Sequence, residues 1–185
     1  MKSNGMVVLS LDLALSTGWA VRMPPGCKSG SVGGKLGRTG ERWFFGMKDF
    51  RPERGSSYGI LFRVFNQWLE RTLGAYVTLA RGDDLELVVS YELAHYRGGA
   101  ATMIGTALTS RVMEQCDASN VAYLGVRSNV LKKWAAGHGF ADKAAMIQAA
   151  QGFCPSFNGK DDNIGDAICL AEYAAQNVGG QEVKK

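Results

Sequence analysis

The run LELVVSYEL at 85–93 leaves few options for the chain around it. Alternating apolar and polar residues describe a strand with one wet face. This run is apolar at almost every position before its closing acid, so it describes a strand covered on both faces. A sheet of that kind needs helices above and below it, and the flanking sequence supplies them. SYGILFRVFNQWLERTLGAYVTLA at 57–80 places Ile60, Leu61, Val64, Phe65, Trp68 and Leu69 on one stripe at helical spacing. A Gly/Ala-rich helix is expected at about 99–117, shorter ones at 128–136 and 141–152, and a closing helix within KDDNIGDAICLAEYAA at 160–175.

The first part of the chain reads as a meander. VVLSLDL (7–13) and TGWAVRM (17–23) form a hairpin turning near residues 16–18, and ERWFFGMKDF (41–50) is a third strand. Between them, PPGCKSGSVGGKLGRTG (24–40) is too rich in Gly, Ser and basic residues to pack, and we expect a flexible loop there. With VAYLGV (121–126) as a further strand, the pattern is a mixed sheet in an α/β chain. No internal repeat is present, and residues 1–185, of which 46% are hydrophobic and 21% charged, suit one globular domain.

Four acids stand where burial penalises them. Asp12 and Glu92 each end an apolar strand, and Asp162 and Asp166 lie one turn apart at the head of the last helix. An unpaired buried carboxylate costs several kcal/mol by order of magnitude, so each needs a proton, a cation or a full set of hydrogen bonds. Asp161 and Asp162 could instead cap the helix, an explanation that does not extend to Asp166. Oxygen ligands clustered without histidine or thiolate suit Mg²⁺ or Mn²⁺, and two such ions about 4 Å apart can activate water and stabilise the leaving oxygen of a phosphodiester.

The charge distribution fits that substrate class. Residues 22–63 carry nine Lys/Arg against three acids and residues 127–160 carry five against one, leaving the rest of the chain acidic by six. Such segregation sets a polyanion-binding face beside an acidic site. Cys27, Cys116, Cys154 and Cys169 share no metal-ligand or disulfide spacing and read as reduced thiols. No apolar run is long enough to span a membrane and no basic leader precedes a signal-like stretch, so a soluble cytoplasmic protein is expected.

VLSLDLALSTGWAV, VVSYELAHYRGG, LKKWAAGHGFADKAAMIQAA and DDNIGDAICLAEYAA, in this order, resemble RuvC-like Holliday junction resolvases of the phage-encoded type, within the ribonuclease H-like superfamily. The resemblance spans roughly residues 6–175 and rests on the combination of motifs. It implies a ribonuclease H-like mixed five-stranded sheet with helices on both faces, a homodimer in the host cytoplasm, and Mg²⁺-dependent nicking of four-way DNA junctions, with two Mg²⁺ per active site and Mn²⁺ as substitute. By position it makes Asp12 the residue bridging the metals, Glu92 the completion of the second site, and Asp166 with an earlier acid the remaining ligands. It sets Lys132 and Lys143 near the scissile phosphate and Tyr96, with His95 before it, where an aromatic stacks on an unpaired base at the crossover. Arg51, Arg54 and Lys132 are the expected DNA phosphate contacts.

The chain departs from the family at one point. The earlier acid of the pattern stands three residues before the last, where this sequence has Asn163, with Asp162 and Asp161 four and five before. On a helix, positions three and four earlier lie near the same face while five earlier is rotated by about 140°, which favours Asp162 over Asp161 and leaves Asn163 a neutral oxygen to offer. Two other functions share the metal chemistry or the hairpin: a ribonuclease H-like nuclease on RNA/DNA hybrids or other branched DNA, and an actin-like phosphate-binding ATPase. The second needs a duplicated hairpin that 185 residues do not contain.

Overall fold

In a computed structural model describing residues 5–28, 34–94 and 98–178, strand β1 (Met6–Asp12) occupies the middle of the sheet. It pairs antiparallel with β2 (Ser16–Met23) on one side and parallel with β5 (Glu86–Glu92) on the other. Beyond β2 lie β4 (Arg42–Asp49) and then β3 (Lys35–Leu36), both antiparallel, and beyond β5 lies β6 (Ala122–Val126), parallel. The order is β3-β4-β2-β1-β5-β6. The sheet therefore has six strands where five are expected. The extra one comes from the Gly-rich segment, where Lys35 and Leu36 pair with Trp43 and Arg42. What fixes that end of the segment is Glu41, a buried carboxylate that accepts from the Arg38 and Thr39 amides and the Thr39 hydroxyl.

Helices cover both faces. Helices α1 (Tyr58–Gly82) and α2 (Gly99–Ala118) share one core with Val7, Leu9, Leu11, Val89 and Tyr91. Helices α3 (Ser128–Ala136), α4 (Lys143–Phe153) and α5 (Asp162–Asn177) share the other with Val8, Ala20, Trp43, Leu124 and Val126. Successive residues of β1 thus alternate between two dry cores, which is why its sequence does not alternate in polarity. The buried stripe of α1 is narrower than its sequence suggests. Leu61, Phe65, Leu69 and Leu73, at a spacing of four, go inward, while Ile60 and Val64 remain exposed on the flank. No described helix is long and apolar enough to cross a membrane, and all four cysteines are free thiols.

Helix α5 lies low on β1 and β2, and its small residues Ala167, Ala171 and Ala174 are what allow this, while Gly165 faces Ile147 of α4 and Phe157. Two polar clamps fix it. Near its start, the Asn163 amide donates to the Ser16 carbonyl at 2.9 Å, and its backbone comes so close to Gly18 that a Cβ there would overlap the Asn163 carbonyl. Three turns on, the Arg22 guanidinium meets Glu172 at 2.5 Å, and Gln176 donates to the other Glu172 oxygen at 2.8 Å. Gly18→Ala should therefore destabilise the fold by about 1–3 kcal/mol, because the added methyl meets backbone that cannot turn aside. Gly74→Ala, at a helix-interior position with open space around it, should stabilise by about 0.5–1 kcal/mol. Denaturant midpoints of the two variants check both signs; a Gly18→Ala midpoint equal to wild type would refute the close contact.

Candidate active site

Asp12 and Glu92 are the last residues of two neighbouring parallel strands, one step beyond the Leu11–Tyr91 pair. Parity along β1 turns Asp12 to the same face as Val8 and Ser10, the face α5 covers. Beneath it, Ser10 and Ser90 satisfy each other at 2.5 Å, so two buried hydroxyls interrupt the apolar strands without an unpaired polar atom. The turn out of β1 is closed by Thr17, whose hydroxyl donates to the Ala14 carbonyl at 2.7 Å. An open cleft beside the two acids is lined by Leu13, Leu93, Ala94 and the α2 residues Ala101, Thr102 and Gly105.

Asp162 and Asp166 come down on this strand end from the first turns of α5. Their approach is visible in the electrostatics. Burial, then the negative charges of Asp166, Glu92 and Asp162, hold the Asp12 carboxyl well above its ordinary range. Asp166 is pushed up to about 6, by burial first and by Glu92 next, with the Lys132 charge opposing. Asp162 moves the other way, because the Lys143 ammonium is bound to it. One oxygen of Asp166, Oδ1, is buried with no hydrogen-bond partner.

The three candidates for the fourth acidic position separate cleanly. Asp161 is the N-cap of α5, accepting from the Ile164 amide at 3.2 Å. Asn163 is engaged with Ser16, on the side that packs against β2. Asp162 alone of the three meets a basic side chain, Lys143 at the start of α4.

The donors are all carboxylate oxygens, and like charges have been brought together around an orphaned buried oxygen, a combination that costs stability unless a cation joins it. The chemistry of the set fits a hard divalent ion. Among the described residues, no three acidic, histidine or cysteine side chains are yet drawn together tightly enough to enclose one.

The remaining candidates divide into those near this cluster and those apart from it. Lys132 on α3 and Lys143 at the start of α4 both act on Asp166. Arg51 follows β4, whose end lies beside the start of β2, so it belongs to the same end of the sheet two strands away. Asp49 grips its Nε at 2.9 Å and its terminal nitrogen at 2.7 Å, and both side chains are exposed. Arg54 is exposed in the following turn. Tyr96 and His95 lie outside the described residues. The sequence reading missed the structural polar groups Ser10, Ser90, Thr17 and Asn163; only the serines carry a signal, as the sole polar residues inside two buried strands.

No family model matches this chain, and no curated protein is significantly similar to it in sequence. Solved structures do match over its length. A Thermus thermophilus RuvC structure superposes with a TM-score of 0.71 at 15% identity, covering 97% of this chain and 99% of that one. T. thermophilus RuvC in complex with a Holliday junction substrate gives 0.70 at the same identity and coverage. The chain has the RuvC fold, within the ribonuclease H-like class.

The acid cluster makes a stability prediction. At about 6 folded against an ordinary 3.8, Asp166 keeps a proton that the unfolded chain releases, so its contribution turns destabilising as pH rises from 3.8 through 6. Asp166→Asn should raise metal-free stability at neutral pH by on the order of 1–3 kcal/mol, with the advantage gone below pH 3.8. Unfolding followed across that range checks it; a variant no more stable than wild type at neutral pH would show that this charge is not under strain.

Proposed function

We propose that this protein is a metal-dependent endonuclease that nicks four-way DNA junctions. The observation that carries the reading is the convergence of Asp12 and Glu92, from adjacent strand ends, with Asp166 and Asp162 from α5, around a buried carboxylate oxygen left without a partner. The full-length likeness to RuvC, one structure of which holds a Holliday junction, points to the substrate.

Asp12, Glu92, Asp162 and Asp166 would hold two Mg²⁺ ions; Mn²⁺ would substitute. When bound, the pair supplies a water of lowered pKa and charge stabilisation at the phosphorus. The chain's own residues do the rest. Ser10, Ser90 and Thr17 hold the strand end and turn that carry Asp12. The Asn163 clamp sets the height of α5 and so of its two acids. Lys132 and Lys143, whose charges act on Asp166, would offset negative charge on the scissile phosphate. Arg54 and the Asp49-braced Arg51 would contact an arm of the DNA, and Tyr96 a base at the crossover. Two sites on a homodimer would address opposed strands, and the open groove along α2 bordered by Met103, Thr106 and Ser110 is a face such a dimer could bury.

The deciding experiment incubates the protein and Mg²⁺ with labelled four-way junction, flap, RNA/DNA hybrid and plain duplex, and maps the products. Paired symmetrical nicks in the junction are expected; cutting confined to hybrid or flap would assign the same chemistry to another substrate. Asp12→Asn, Asp166→Asn and Asp162→Asn should each lower cleavage by orders of magnitude while junction binding survives. Asp161→Asn should stay active and lose at most about 1 kcal/mol of stability, because asparagine still caps the helix and only the negative charge at its N-terminus is removed. An inactive but folded Asp161→Asn beside an active Asp162→Asn would overturn the assignment.

A further inference from the structure

Phe140 is 96% exposed, whereas the other large apolar side chains on the described surface lie between 36% and 62%. It stands in the turn between α3 and α4, and that turn is held on both shoulders. The Gly137 amide closes α3 on the Lys133 carbonyl at 3.0 Å, with Gly137 in the left-handed region at φ 87°. Gly139 rests against the Asn129 carbonyl, the Ala141 amide donates to His138 at 3.3 Å, and Ala141 itself is buried. Asp142 then caps α4 by accepting from the Ala145 amide at 2.9 Å. A phenyl ring on an anchored turn, with nothing among the described residues to cover it, is presented to a partner.

The surroundings say which kind. Phe140 is three residues before Lys143, and its turn leaves the helix that carries Lys132, the two lysines that act on Asp166. Residues 127–160 hold five basic side chains and one acid, and that acid, Asp142, is occupied as a cap. An apolar π face within a basic segment of the chain suits a polyanion whose own groups have π faces, which is nucleic acid with unstacked bases. We infer that Phe140 stacks on a nucleobase freed at the branch of a DNA junction, as a base contact additional to the one proposed for Tyr96. This inference rests on the junction reading above.

The test measures binding of wild type, Phe140→Ala, Phe140→Leu and Phe140→Trp to a four-way junction and to plain duplex, by fluorescence anisotropy in Ca²⁺ to limit cutting. Phe140→Ala should bind the junction about tenfold more weakly, with duplex binding and thermal midpoint unchanged because the ring packs against nothing. Phe140→Trp should match wild type and Phe140→Leu should not, since leucine keeps the apolar surface and loses the π face. Equal junction binding by wild type and Phe140→Ala overturns the inference, as does full rescue by leucine. A change in sedimentation of Phe140→Ala would overturn it in favour of a protein contact. Wild-type protein that fails to prefer junction over duplex removes the functional reading itself, a result distinct from loss of this contact alone.

Discussion

Everything at the acidic end of the sheet depends on how low α5 sits. A helix carrying leucines on its inner face would stand off the strands by the width of a side chain. Here Ala167, Ala171 and Ala174 remove that width, and Gly18 removes the last obstruction where Asn163 comes down. Close packing of this kind leaves no slack: an interior at crystal-like density transmits a shift rather than absorbing it. Asp166 stands between the Asn163 clamp and the Arg22–Glu172 pair, and Asp162 directly before the first, so the height of both above Asp12 is set by these contacts.

That arrangement works against stability. Dispersion and apolar burial press four carboxylates toward one point, and burial first, with their mutual repulsion added, lifts the protonation range of Asp12 and Asp166. Stabilising the cluster in isolation would mean moving one acid away. Lys143 does the reverse for Asp162, drawing it into an ion pair at the rim. The fold thus keeps two acids strained inside and one neutralised outside, a distribution suited to a site that meets both cations and phosphate.

Much of this was legible in the sequence because burial and charge conflict openly there. An acid at the end of VVLSL or LVVSY has no structural use that leucine would not serve better, so Asp12 and Glu92 announce themselves. The helix stripe of α1 was overread, since periodicity marks Ile60 and Val64 as readily as Leu61 and Phe65 and cannot tell a flank from a face. Strand β3 was not legible because its two residues carry no pattern; the carboxylate of Glu41, bonded to amides just before it in the chain, makes that turn. Asn163 and Gly18 were equally silent, for a contact between residues so far apart leaves no mark on either alone.

The Ser10–Ser90 pair joins residues 80 apart in the chain, and the Arg22–Glu172 pair joins residues 150 apart. The middle strand of the sheet is therefore made well before the segments that enclose it. As the chain leaves the ribosome, β1 and β2 can pair as a hairpin, but one edge of β1 waits for β5 and one face for α5. Non-local pairing of this order slows folding and leaves apolar strand surface uncovered meanwhile. It also orders the assembly of the acids: Asp12 cannot meet Asp162 and Asp166 until α5, made about 150 residues later, has docked on the strands.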